Sequence, residues 1–84
     1  MIDEASLADL MNLARQYNIT ICQEMEKKRY VLRGRGNMIA QFLIATGASA
    51  LIVDSEVWQT NEAAAQIADM PLMKFAFEDL IFNK

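Results

Sequence analysis

Apolar residues recur at helical spacing over residues 4–17. The positions of this apolar stripe are Leu7, Leu10, Met11, Ala14 and Tyr17. Polar side chains fall on the opposite side, so the pattern predicts an amphipathic helix packed on a core. Asn18 follows this segment and is suited to end a helix in the left-handed conformation.

The spacing changes to alternation over residues 19–34, which predicts a β-hairpin. A two-residue turn in its middle places Ile21 opposite Tyr30. Ile19 and Leu32 then lie on the same face. This supports the register, because a slip of one residue would scatter the four side chains.

The middle of the chain predicts a buried helix and a third strand. The segment between Asn37, a candidate N-cap, and Gly47, a candidate C-cap, is apolar almost all round, as in a central helix. Residues 50–53 form a short apolar run that predicts a buried strand. A crossover of this length would allow this strand to lie parallel to the second hairpin strand. The segment around Trp58 that follows is polar and predicts a loop.

The last quarter of the chain predicts two more helices. Helix-forming residues run from Thr60 to Ala68, and Pro71 then opens a final helix, since proline is tolerated in a first turn. Eight of the eleven residues 72–82 are apolar, more than one core-facing stripe can hold. We therefore expect a homo-oligomer, with a dimer as the commonest form. The candidate interface residues are Phe75, Phe77, Ile81 and Phe82.

Together these elements predict an α+β fold of one domain, residues 1–84. A small sheet of two or three strands (the hairpin at about 19–34 and the possible strand 50–53) packs with three or four helices. A chain of 84 residues can form a single hydrophobic core.

The composition of the chain excludes several classes of function. The chain is 54% hydrophobic and 23% charged, unlike disordered proteins, and its net charge of −3 argues against binding to nucleic acid by overall charge. It has one cysteine and no histidine, which excludes an internal disulfide, the common zinc sites and histidine-based triads. The carboxylates are spread along the chain. We expect no enzyme activity, no cofactor and no metal site.

Location can also be predicted from the sequence. The first residues are acidic where a secretory signal would be basic. The longest uncharged stretch, residues 36–53, contains several polar side chains and is a poor membrane span. The single thiol, Cys22, fits a reducing compartment. These features predict a cytoplasmic protein without membrane insertion.

Positive charge is clustered. Five of the eight Lys and Arg residues fall within residues 27–35, and alternation puts Arg29, Arg33 and Arg35 on the outer face of the hairpin. Arginine is suited to bidentate contact with carboxylate or phosphate. A helix start near Gly36 would add free amides and a positive dipole end. The same charges also suit a sheet face that is only solvated and protected from edge pairing.

Trp58 is the other candidate for a partner site. A tryptophan in a polar connection is either a lid over the core or an interface anchor. With Arg29, Arg33 and Arg35 it completes the predicted partner-binding set.

Two functions follow from these features. The first is a small non-enzymatic protein–protein interaction module. In length, acidity and absence of catalytic residues the chain resembles accessory and inhibitor proteins encoded by phages and other mobile elements, which implies binding to another protein. The alternative is a small nucleic-acid- or nucleotide-binding regulator that uses the arginine strand.

Overall fold

A computed structural model describes residues 4–82 of the chain. In chain order its elements are α1 (Glu4–Gln16), β1 (Thr20–Glu24), β2 (Arg29–Arg35), α2 (Gly36–Ala45), β3 (Ala50–Val53), β4 (Glu56–Gln59), α3 (Thr60–Ile67), β5 (Leu72–Phe77) and β6 (Asp79–Ile81). No helix within this range is long and apolar enough to cross a membrane.

The strands form two antiparallel sheets of three strands each, in the orders β1-β2-β5 and β4-β3-β6. β5 and β6 are one run of chain, interrupted at Glu78, whose amide donates to the Ile52 carbonyl at 2.7 Å. Phe77 and Leu80 are both buried, although strict alternation would put residues three apart on opposite faces. Glu78 therefore acts as an extra residue, like a β-bulge, and lets both sheets face one core.

One face of each sheet contributes to this core. The largest fully buried side chains are Tyr30, Phe42, Phe77, Leu32, Ile39, Leu43 and Leu51. α2 and α3 pack side by side, and α1 adds Leu10 and Ala14 to the same cluster. The opposite face of the sheets, here called the outer face, carries exposed side chains such as Arg33, Lys74 and Val57.

The end of α1 confirms the prediction for Asn18. Its amide donates to the Arg15 carbonyl at 3.1 Å, and its φ of 59° is left-handed. The Ile19 amide donates to the Ala14 carbonyl at 3.1 Å, which completes a Schellman motif. The turn directs the buried Ile19 side chain into the core at the start of β1.

The predicted C-terminal helix is wrong, since this segment forms β5 and β6. Met73, Phe75 and Phe77 alternate with smaller or charged side chains, a period of two that fits a strand. β5 pairs with β2 and β6 pairs with β3, each distant in sequence. Such pairing decides the conformation of a short apolar segment more strongly than its local propensity does.

The predicted oligomer interface changes with this correction. Phe77 is fully buried in the core of its own chain, so it is not available to a second chain. Phe75 packs against the same core, and Ile81 is half-buried on the outer face. Phe82 is 57% exposed. The apolar side chains that predicted a helical dimer contact are therefore largely packed within the sheets of the same chain.

The predicted hairpin is present, with its register shifted by two residues. Ile21 lies opposite Leu32 and not Tyr30, because residues 25–28 form a four-residue turn. A shift of two leaves every side chain on its predicted face. Ile19, Tyr30 and Leu32 are accordingly buried.

The middle of the chain follows the predictions in part. The strand at residues 50–53 is present, but it pairs antiparallel with β4 and β6 and not parallel to β2. The predicted loop at Trp58 is strand β4. α2 begins at Gly36, with Arg35 and not Asn37 in the capping position. The α+β class is confirmed, with three helices in the described range and more strands than predicted.

Candidate interaction surface

The outer face of the β1-β2-β5 sheet carries most of the positive charge. Six of the eight Lys and Arg residues lie on its strands or on the turn between β1 and β2, namely Lys27, Lys28, Arg29, Arg33, Arg35 and Lys74. Alternation along the strands directs Arg33, Arg35 and Lys74 to the outer face, and all three are exposed. We call these three residues the basic face.

Arg33 and Lys74 occupy directly opposite positions on β2 and β5. Side chains in opposite positions start about 5 Å apart, and like charges there destabilise a sheet. Neither side chain forms a salt bridge with any described residue. The pair therefore concentrates positive charge at one place on the outer face.

Arg29 differs from the other arginines because it already has a carboxylate partner. Its Nε donates a hydrogen bond to Oε1 of Glu24, the residue directly opposite on β1. This bond lowers the pKa of Glu24 and raises the pKa of Arg29. Of the three predicted binding arginines, Arg29 is therefore the least available to a partner.

Arg35 ends β2 beside a shallow depression. Asn37, Asp69 and Leu72 contribute to the lining of this depression. Leu72 lies directly opposite Arg35 and is 80% exposed, the highest value for a large apolar side chain in the described range. The basic face thus lies beside an exposed apolar side chain. Arginine and apolar side chains occur together in protein interfaces.

The Gly36 amide at the start of α2, one of the groups expected to be free for a phosphate, already has acceptors within the chain. The Gly36 amide donates to the carbonyls of Met70 and Pro71, each at 3.0 Å. Gly36 is buried, and a Cβ there would lie 2.0 Å from the Ile67 carbonyl oxygen. This amide joins α2 to the segment before β5 and is not free for a ligand.

The structure separates Trp58 from the arginines. Trp58 lies opposite Leu51 on β4 and packs, partly buried, against the core. It therefore belongs to the inner face, whereas Arg33 and Arg35 lie on the outer face. Of its two predicted roles, this packing favours the lid over the core.

Lys74 is the candidate binding residue that sequence reasoning missed, because its segment was assigned to a helix. The signal was present in the alternation of Met73, Phe75 and Phe77. A strand with these three side chains on the core face puts Lys74 on the opposite face.

Cys22 also lies on the outer face, opposite Val31 and exposed as a free thiol. Among residues 4–82, no three His, Cys, Asp or Glu side chains are placed to hold a metal ion. The chemistry that this face presents is positive charge beside apolar surface.

Comparison with protein-family models, curated proteins and solved structures finds no match to this chain. Its function must therefore be inferred from its own residues.

Proposed function

We propose that the chain is a non-enzymatic protein-binding module that docks its basic face onto an acidic surface of another protein. The observation that carries this proposal is the opposed pair Arg33 and Lys74 on an open sheet face. A carboxylate from a partner would lie between two cations that otherwise repel each other, so docking would relieve a contact that costs stability in the free chain.

The composition of the face favours protein over nucleic acid. Single-stranded nucleic acid is usually bound by aromatic side chains on which bases stack. Here the aromatic residues of the sheet, Tyr30, Phe75 and Phe77, all lie on the core side. The net charge of −3 opposes a long polyanion, while the exposed Leu72 beside Arg35 suits an apolar contact.

We propose no catalysis, because the chain contains no histidine that could act as a general base. The exposed free thiol of Cys22 is compatible with a reducing compartment, and we include a cytoplasmic location in the proposal. An accessory or inhibitor role, as phage proteins of this kind have, stays a prediction.

Binding to an acidic peptide tests the proposal. Fluorescence anisotropy would follow a labelled peptide rich in Glu, Asp and Leu, and separately a labelled DNA duplex, over a range of salt concentrations. We expect the chain to bind the peptide more tightly than the duplex. The variant Arg33→Ser/Arg35→Ser/Lys74→Ser should bind the peptide about tenfold more weakly, since three exposed ion pairs are lost.

A charge-matched variant provides the control. Gln16→Glu/Gln41→Glu/Gln66→Glu takes the net charge from −3 to −6, as the triple serine variant does, but at exposed helix positions. It should keep most of the peptide affinity. Equal weakening in both variants would show that only net charge matters. Tighter binding to the duplex than to the peptide would favour the function as a nucleic-acid-binding regulator. Unchanged peptide binding by the triple serine variant would indicate that the basic face is only solvated.

A further inference from the structure

β5 is an edge strand of the β1-β2-β5 sheet. One side of it pairs with β2 along its whole length, from Leu72 to Phe77. β3 approaches its backbone where β5 passes into β6. No backbone hydrogen bond joins the opposite side of residues 72–76 to another described residue. This side therefore presents donors and acceptors with which a further strand could pair.

The exposure of β5 agrees with an uncovered edge. On the central strand β2, the three consecutive residues 30–32 are buried, whereas on β5 only Phe77 is buried. Met73 and Phe75 pack against the core, yet both stay partly exposed. The side of β5 away from β2 thus offers two partly exposed apolar side chains as well as backbone groups.

The charge on this edge discriminates between possible strands. Lys74 lies near the middle of β5, is exposed on the outer face, and has Arg33 directly opposite it on β2. A lysine on an edge strand opposes pairing with a second copy of the same strand, because like charges would adjoin. The same lysine favours a strand that carries a carboxylate. The edge is therefore suited to an acidic strand from a different protein.

We propose that the partner contributes an extended acidic segment, which adds to β5 as a fourth strand of the β1-β2-β5 sheet. The inference rests on the proposed function and specifies which part of the partner meets the basic face. In strand addition of this kind, main-chain hydrogen bonds provide affinity, and the side chains on alternate positions provide specificity.

The side chains of β5 define the pattern of the segment. Successive side chains of a strand point to opposite faces. On the outer face, the added residues would lie in line with Lys74 and Leu72, beside the basic face, so they should be acidic. On the core side, the added residues would cover the exposed parts of Met73 and Phe75, so they should be apolar. The segment therefore alternates acidic and apolar residues.

Hydrogen exchange of the isotope-labelled chain, followed by NMR, gives the first test. The probe is the end-blocked peptide Ser-Val-Glu-Val-Glu-Val-Ser, here called the strand peptide. Alternate amides of β5 point away from β2, and these should exchange about tenfold more slowly at a peptide concentration about ten times Kd. Unchanged exchange on β5 with the peptide bound overturns the inference. Amides that are protected in the free chain and lose protection on dilution would show a second copy at this edge, which also overturns it.

A methylated peptide separates strand addition from attraction between charges. Methyl groups on the backbone nitrogens of its Val and Glu residues keep the side chains and the charge of the strand peptide. They remove the amide donors along both edges of the peptide. We expect the methylated peptide to bind at least about tenfold more weakly, because main-chain hydrogen bonds supply much of the affinity. Equal affinity of the two peptides contradicts strand addition.

Reversal of charge tests the selection by the edge. Arg33→Glu/Lys74→Glu should prefer a peptide in which lysine replaces both glutamates, whereas the unmodified chain should prefer the strand peptide. Circular dichroism checks that the variant is folded, and the exchange experiment on the unmodified chain does not depend on it. A folded variant that keeps the preference of the unmodified chain overturns the proposed role of the charges.

The two proposals fail in distinguishable ways. If the peptide rich in Glu, Asp and Leu binds through the basic face, but neither peptide slows exchange on β5, strand addition is wrong and the proposed function stands. If neither peptide binds at all, both proposals are wrong.

Discussion

Arg33 and Lys74 lie directly opposite each other on β2 and β5, two cations on an exposed sheet face with no carboxylate bonded to either among the described residues. Cross-strand pairs contribute roughly 0.2–1 kcal/mol to sheet stability, and like charges reverse the sign of that contribution. The arrangement concentrates positive charge at one place, and we expect it to lower folding stability.

Reversing one charge of this pair should stabilise the fold and weaken binding. We expect Arg33→Glu to raise the free energy of unfolding by about 0.5–1 kcal/mol, because it forms an ion pair with Lys74. Arg33→Gln should fall between this variant and the unmodified chain. Urea denaturation measures stability, and affinity for the acidic peptide should follow the reverse order. If Arg33→Glu lowers the free energy of unfolding, the repulsion between Arg33 and Lys74 is contradicted, provided that Arg33→Glu/Lys74→Glu is no more stable than Arg33→Glu.

Glu78 should stabilise the β3–β4 turn. Its carboxylate accepts hydrogen bonds from the amides of Asp54 at 3.1 Å and Ser55 at 2.9 Å. Both turn residues have positive φ, at 50° and 68°, a conformation that costs non-glycine residues about 1–2 kcal/mol each. Glu78→Ala should therefore lower the free energy of unfolding by about 1–2 kcal/mol in thermal or urea denaturation.

A glycine in this turn provides the control. Ser55→Gly should raise stability by up to about 1 kcal/mol, because glycine adopts the left-handed conformation without strain. It should also recover part of the loss in Glu78→Ala. If Ser55→Gly destabilises the chain instead, the conformation assigned to this turn is incorrect.

The pair of Glu24 and Arg29 should make stability depend on pH in the acid range. The pKa of Glu24 is lower in the folded chain than its ordinary value of 4.5. The pair therefore stabilises the fold fully above about pH 4.5 and loses its effect as pH falls through the lower, folded-state pKa. Glu24→Gln should be less stable than the unmodified chain at neutral pH, with a difference that shrinks in acid.

The matching variant Arg29→Gln removes the same hydrogen bond from the other side. Thermal denaturation over a series of pH values should show the same shrinking difference for both variants. A stability difference that stays constant through the acid range would show that the pair does not perturb the titration of Glu24.

Two glycines should respond very differently to alanine. At Gly36 an added Cβ would meet the Ile67 carbonyl oxygen at 2.0 Å, so Gly36→Ala should prevent α2 from docking and largely unfold the chain. At Gly47 there is open space, and only the φ of 81° opposes a side chain. Gly47→Ala should cost about 1 kcal/mol. Circular dichroism and urea denaturation distinguish the two, and similar modest losses would contradict the close approach at Gly36.

The helices and the first hairpin could be predicted because their signals are local. The apolar stripe before Asn18 and the helix formers after Thr60 act within one turn of a helix. The faces of β1 and β2 were also correct, although the turn is longer than predicted, because a shift of two residues preserves alternation. Periodicity therefore predicts which face of a strand is buried more reliably than it predicts which residues of two strands lie opposite each other.

The strands that complete the sheets could not be predicted in the same way. β5 and β6 are defined by pairing with β2 and β3, and their apolar residues satisfy a helix as well as a strand over so short a length. The extra residue at Glu78 also breaks the alternation between Phe77 and Leu80. Because this segment is predicted from the sequence as a helix, Lys74 could not be placed on the outer face. Only Arg33 and Arg35 of the basic face could therefore be predicted.

The most direct test of the basic face is an NMR titration of the isotope-labelled chain with the acidic peptide. Backbone amide shifts report binding residue by residue. The proposal predicts that the largest shifts occur on β2 and β5, around Arg33, Arg35 and Lys74, and that the triple serine variant needs about tenfold more peptide to reach the same shifts. Shifts concentrated on α2 and α3, or shifts that persist unchanged in that variant, would contradict it.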